Sequence, residues 1–192
     1  MVQYGWVTPN RISFSGFLVG GIGAAICILI LPLWTAGVLL AVGDVLDYLD
    51  GDLARRQGTD SREGAIFDAV LDRYTDFLVI GALTYLTTAL LDRYTDFLIG
   101  GLSFLTSEIA LLTGLAALLG SVVTPYVRAK TEAESKKSIP TAGDRGWRNR
   151  ILIVGLLLSQ PIWTLGAVAV VANIAAVHRL FYAMRKSDDR GS

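Results

Sequence analysis

Apolar and small residues run almost without interruption from Ile12 to Leu31, and runs of the same kind recur along the chain between short polar or proline-bearing breaks. Runs near twenty residues match the hydrocarbon thickness of a bilayer when helical. They predict an all-α, polytopic membrane protein with six helices, at roughly 12–31, 34–56, 62–90, 97–130, 149–160 and 163–184. Pro32 separates the first two, residues 57–60 the next two, and Gln160 with Pro161 the last two. Asp60, with Glu63 three residues on, has the spacing of a capping box for the third helix. Residues 1–11, with Trp6 and Arg11, suit an interfacial segment ahead of a single membrane domain that fills residues 1–192.

Acids break this pattern in one place. Asp47 and Asp50 fall near the end of the second helix, and Asp68 and Asp72 near the start of the third. An ionised carboxylate in or beside hydrocarbon is costly unless it faces a cavity, a cation or a partner, so the four mark a functional site. Spacings of three and four put each pair on one helix face. If the two helices form an antiparallel hairpin about residues 59 and 60, Asp50 pairs in depth with Asp68, and Asp47 with Asp72. Four converging carboxylates suit hard divalent cations, Mg²⁺ or Mn²⁺, and two ions in particular, the arrangement used for phosphoryl displacement.

Composition agrees with the membrane reading. Hydrophobic residues make up 53% of 192, mean hydropathy is +0.52, and the formal net charge is zero, which argues against a nucleic-acid binder. The single Cys27 rules out a disulfide within the chain, and the first apolar run is too long for a cleavable signal peptide. Of 17 Lys and Arg, fifteen lie at Arg11, in 55–62, in 128–150 or after residue 178. By the positive-inside rule these segments, both termini and the acids face the cytoplasm. Trp6 and Trp147 would mark the inner interface, and Trp34 and Trp163 the outer one. The expected location is the plasma membrane.

An identical octapeptide, LDRYTDFL, stands at 71–78 and again at 91–98. The second copy has no acids upstream and is expected at the outer end, where Asp92, Arg93 and Asp96 can meet water. It is given no catalytic role.

Small residues and one arginine accompany the acids. Gly51, Ala54 and Gly64 leave bare helix surface that would admit a flat group, and Arg55 offers a fork for phosphate. Close helix packing is the competing use of such small residues. Together they complete the pattern D-x-x-D-G-x-x-A-R-x8-G-x-x-x-D-x-x-x-D, formed by Asp47, Asp50, Gly51, Ala54, Arg55, Gly64, Asp68 and Asp72. This pattern resembles the signature of the CDP-alcohol phosphotransferase family. The resemblance implies a six-helix membrane domain, usually homodimeric, that moves a phosphatidyl-type group from a CDP-linked lipid such as CDP-diacylglycerol or CDP-archaeol to an alcohol, releasing CMP. It further implies that Asp47, Asp50 and Asp68 hold the metals, with Asp72 both assisting them and serving as the base. Gly51, Ala54 and Gly64 would face the cytidine and Arg55 the diphosphate, with Asp50 and Asn10, from Thr8-Pro9-Asn10, also near the CDP-lipid. Asp44, Asp52 and Asp76 stand outside the pattern; Asp52 is expected to face the cytoplasm and Asp76 to pair with Arg73 or tune the site.

A second, basic cluster bears on the acceptor. Arg128, Lys130, Arg148 and Arg179 lie at helix ends that could border the acids, and several cations there suit an alcohol that itself carries a phosphate. For Lys136, Lys137, Arg185 and Lys186, topology alone is the preferred explanation. The segment from Tyr126 to Glu132 and the later Arg148 look like the inositol-phosphate site of phosphatidylinositol-phosphate and archaetidylinositol-phosphate synthases. The match departs in the exchanged order of Arg128 and Lys130, in Pro125 where a small hydroxyl residue is common, and in the later segment around Arg145 and Trp147. Inositol phosphate is the expected acceptor and glycerol 3-phosphate its nearest competitor. A cation transporter would also place acids between helices, but it leaves Gly51, Ala54, Arg55 and Gly64 unexplained. His178, the lone histidine, is read as a polar contact near the inner interface.

Overall fold

The structure, a computed structural model, describes residues 8–57, 61–99, 103–133 and 145–184. These form six helical rods and no strand: α1, Pro9–Ile30; α2, Leu33–Gln57; α3, Arg62–Ile99; α4, Ser103–Ala133; α5, Arg145–Leu157; and α6, Pro161–Met184. Four stretches are long and apolar enough to cross a membrane, namely Pro9–Ile30, Glu63–Arg93, Ser107–Ala133 and Pro161–Met184. Six rods thus stand where six spans are expected, but among the described residues four meet that criterion and two do not. α2 carries the acids, and α5, at 13 residues, is about 20 Å long.

Local chemistry explains the breaks. Leu31 is extended, as a residue before proline prefers, and ends α1 ahead of Pro32. The α5–α6 turn closes with Gln160 N donating to Gly155 O at 2.9 Å and Ser159 N to Leu156 O at 3.0 Å, with Ser159 at φ 53. That is the Schellman pattern, with serine in the left-handed position usually given to glycine. Three expectations shift. The cap of α3 is Ser61, whose Oγ accepts from Gly64 N at 3.0 Å; Asp60 lies outside the described residues. α3 does not stop near residue 90 but continues to Ile99 through the second octapeptide, because nothing in that copy breaks a helix. α1 begins at Pro9, so residues 9–11 are its first turn, while Trp6 and residues 1–7 lie outside the described residues.

α4 packs along α6 and α3, while α2 packs along α1 and α5. The shared core contains Ile28, Leu40, Val79, Ile80, Leu83, Leu152, Leu156, Leu165 and Val168. Without a hydrophobic drive in lipid, such helices associate where small residues let backbones approach. Backbones come close between α1 and α2, where a Cβ on Gly43 would stand 2.6 Å from Gly20 Cα. At that crossing α1 widens into a π-helical stretch, Phe17–Gly23. A Cβ on Gly37 would meet Leu157 N at 2.9 Å, while Asp47 meets Arg145, so α2 and α5 run antiparallel. Trp34 and Trp163 thus share the end opposite the acids, both exposed, as their interfacial placement requires.

Candidate active site

The acids converge as the hairpin symmetry required. Asp47, Asp50 and Asp68 each offer a carboxylate oxygen, and these oxygens lie within 4.8 Å of one another. Asp50 is buried and accepts a hydrogen bond from Ser13 Oγ on α1. An oxygen-only donor set this close, drawn from two helices, fits a hard divalent cation and would repel itself without one. Asp72, one turn beyond Asp68, is held differently. Its Oδ1 lies 2.7 Å from Arg145 Nη1, which also donates to Asp47 Oδ2 at 2.6 Å.

Two clefts open on either side of this cluster. One, of about 400 Å³, is lined by Thr8, Asn10, Ser13, Asp50, Gly51, Ala54, Ser61, Gly64 and Asp68. A Cβ on Gly64 would lie 3.6 Å from Asn10 Oδ1, so the two face each other across it. Arg55 is exposed and folds back over Gly51, where an added Cβ would lie 3.5 Å from its Nη1. The second cleft, of about 600 Å³, is lined by Asp72, Thr124, Pro125, Tyr126 and five arginines: Arg73, Arg128, Arg145, Arg148 and Arg179. Asp68 borders the first cleft and Asp72 the second.

The walls of the second cleft follow from local chemistry. Pro125 has no N–H, so the carbonyl of Ser121, four residues earlier in α4, loses its helical donor. Arg73 Nη1 takes that carbonyl at 2.7 Å. Arg73 also pairs with Asp76 at 3.0 Å, and Arg148, with its side chain 1% exposed, pairs with the same carboxylate at 2.8 Å. Asp76 therefore pairs with Arg73 as expected and with Arg148 besides. Buried Arg179 donates to Thr124 O at 3.3 Å, tying α6 to α4.

Most of the residues singled out in the sequence meet here, with two exceptions. Lys130 is exposed and is not among the residues lining the cleft that holds Arg128. Two positions along a helix turn the side chain by about 200°, which sets Lys130 on the face opposite Arg128. Exposed His178 likewise borders neither cleft. Ser13, Asn149 and Arg145 were not singled out. Asn149 Nδ2 donates to Asp44 Oδ1 at 2.8 Å, fixing α5 against α2. Arg145 stands three residues before Arg148 in the basic cluster, a spacing that puts both on one face, but nothing in the sequence alone ties it to the acids. The first octapeptide supplies Leu71, Asp72, Arg73 and Asp76 to the site; the second begins twenty residues further along α3, about 30 Å away. Lys136, Lys137, Asp144, Arg185 and Lys186 lie outside the described residues, as does the side chain of Asp96.

Known proteins resemble this chain in sequence and in fold. The chain is 30% identical over 189 residues to the phosphatidylinositol phosphate synthase of Mycolicibacterium smegmatis, covering 94% of this chain and 79% of that one. It is 27% identical over 181 residues to the archaetidylinositol phosphate synthase of Pyrococcus horikoshii, covering 94% and 85%. A bifunctional IPC transferase and DIPP synthase of Thermococcus kodakarensis is 36% identical over 120 residues, 62% of this chain but 23% of that longer protein. The chain spans 38% of the corresponding Rubrobacter xylanophilus protein. Its fold matches that of the Mycobacterium tuberculosis phosphatidylinositol phosphate synthase, crystallised with CDP-DAG bound, at TM-score 0.77 and 23% identity, covering 97% of this chain and 92% of that one. The same protein crystallised with manganese and citrate gives TM-score 0.76. The family model for CDP-alcohol phosphatidyltransferases matches residues 6–180, and the chain belongs to that family of phospholipid-synthesis phosphotransferases.

Proposed function

We propose that this chain transfers a phosphatidyl or archaetidyl group from a CDP-linked lipid to the hydroxyl of inositol phosphate and releases CMP. The observation that carries this reading is the pair of clefts meeting at one acid cluster, one bare except for Asp50 and Asp68 at its acid edge, the other walled by five arginines. The bare cleft suits a cytidine lying against Gly51, Ala54 and Gly64, with Asn10 and Arg55 at its borders and the diphosphate toward the acids. The arginine wall suits an acceptor that carries a phosphate of its own. The names of the relatives, inositol phosphate synthases of ester and ether lipids, favour inositol phosphate over glycerol 3-phosphate.

Asp47, Asp50 and Asp68 would hold divalent cations, Mg²⁺ or Mn²⁺, two of them with the help of Asp72; when bound, these supply neutralisation of the diphosphate and of the departing CMP. Asp72 is the base. It stands at the edge of the acceptor cleft, where an acceptor hydroxyl can reach it, while Asp68 stands at the edge of the nucleotide cleft. Arg73 and Arg148 shape the acceptor wall through Asp76, and Arg128 and Arg179 complete it. We read the acid end as cytoplasmic, the protein as homodimeric in the plasma membrane, and residues 1–11 as interfacial, on the charge and tryptophan pattern and on the family resemblance.

Purified protein mixed with CDP-diacylglycerol or CDP-archaeol, Mg²⁺ or Mn²⁺ and a panel of alcohols tests the reading by CMP release. Metal-dependent release with inositol phosphate above glycerol 3-phosphate and free inositol is expected. If none of the alcohols gives metal-dependent CMP release, transfer is rejected, and preference for glycerol 3-phosphate would reassign the acceptor.

A further inference from the structure

Arg145 opens α5, and through a single nitrogen, Nη1, it meets both Asp47 and Asp72. It lines the acid pocket and the arginine cleft at once. Its Nε is buried with no hydrogen-bond partner among the described residues. A guanidinium carries five N–H donors in a rigid fork, and a buried donor left unmade is costly. The other arginines are differently engaged: Arg73 and Arg148 share buried Asp76, which is not one of the metal-ligating group, and exposed Arg128 lies 2.8 Å from Glu132. Arg145 is tied directly to two of the acids to which metal-holding and base roles have been given.

Resting on the transferase reading above, we propose that Arg145 is a positioning residue that couples the acceptor's phosphate to the catalytic base. It covers the Asp72 carboxylate until a phosphate in the cleft draws its fork away. The exchange is favoured by charge, since divalent cations at the acids balance carboxylates that Arg145 otherwise shares, and a guanidinium beside them is pushed toward an anion. Asp72 then takes the proton of the acceptor hydroxyl. The electron pair of that oxygen forms the new bond to the lipid-bearing phosphorus, and the bond to CMP breaks, CMP leaving with its pair. An alcohol without a phosphate leaves Arg145 on Asp72. Selectivity for phosphorylated acceptors is thereby enforced in turnover as well as in binding.

Three measurements test this on the full chain in detergent or bilayer discs. Mn²⁺ binding followed by electron paramagnetic resonance, with no substrate present, should tighten about tenfold in Arg145→Gln, because the competing cation is gone. The preference for inositol phosphate over inositol should fall by roughly tenfold or more in the same variant, chiefly in kcat, with partial recovery in Arg145→Lys. Phosphite added in trans should raise kcat of the unaltered protein on free inositol and fail to do so in Arg145→Gln. Unchanged Mn²⁺ affinity in both variants, or a preference carried wholly by KM, overturns the proposal, as does phosphite without effect on a protein that turns over inositol. If no acceptor makes the unaltered protein release CMP, the transferase reading itself fails, whereas the Mn²⁺ comparison still decides whether Arg145 and the cation compete. If Arg145→Gln does not fold, Arg145→Lys and the phosphite experiment on the unaltered protein carry the decision.

Discussion

The two clefts beside the acids are built on opposite plans. The first is made by subtraction: Gly51, Ala54 and Gly64 withhold side chains, and its walls come from helix ends close together in sequence. The second is made by addition, with arginines from α3, α4, α5 and α6 brought together over as many as 106 residue positions and held by Asp76, Ser121 O and Thr124 O. A bare surface accepts a planar, uncharged base by shape. A cationic wall must first be prevented from collapsing on itself, which is why its arginines are already engaged before any ligand enters. The difference teaches that the first cleft is specified by what is missing and the second by a scaffold of ion pairs.

Substitutions separate the two plans. The largest effect is expected at the shared centre, where Asp68→Ala should lower turnover by about a thousandfold or more through loss of metal-holding charge, measured as CMP release across a Mn²⁺ titration. Asp72→Asn should reduce kcat by about 10²–10⁴-fold while CDP-lipid binding persists; unchanged kcat would remove Asp72 as the base. Arg148→Ala breaks a pair whose side chains are 1% and 5% exposed. Leaving Asp76 without that partner should cost about 3–5 kcal/mol of stability, seen as a lowered melting temperature that Mn²⁺ does not restore. The smallest effect belongs to the rim of the bare cleft, where Ser61→Ala removes the cap of α3 and should cost about 1 kcal/mol. A null result there would assign the cap to another group.

Much of the acid centre was legible because it is local. Asp47, Asp50, Asp68 and Asp72 lie on two consecutive helices, so helical periodicity and one turn suffice to bring them together, and the bare positions travel with them. Arg145 was not legible as part of the centre. It is 98 residues from Asp47, and in a basic segment its charge had a sufficient explanation in topology. Ser13 was hidden for the opposite reason, as one hydroxyl in an apolar helix where small residues are ordinary packing. Pro125 was visible as an oddity, but its consequence, a freed Ser121 carbonyl that Arg73 occupies, depends on which helix lies opposite. The rods themselves followed from hydropathy, whereas the end of α3 did not, because the second octapeptide is polar enough to suggest a break yet contains no residue that makes one.

The division of labour between the clefts is tested most directly by measuring KM for both substrates in two variants, Gly64→Leu and Arg128→Gln. Leucine at 64 projects toward Asn10, 3.6 Å from the added Cβ, and should raise the KM for the CDP-lipid while leaving that of the acceptor in place. Loss of the Arg128 charge should raise the acceptor KM by roughly tenfold, as expected for one charge-assisted contact, and leave the CDP-lipid KM unchanged. Parallel shifts of both constants in either variant would contradict separate clefts for the two substrates.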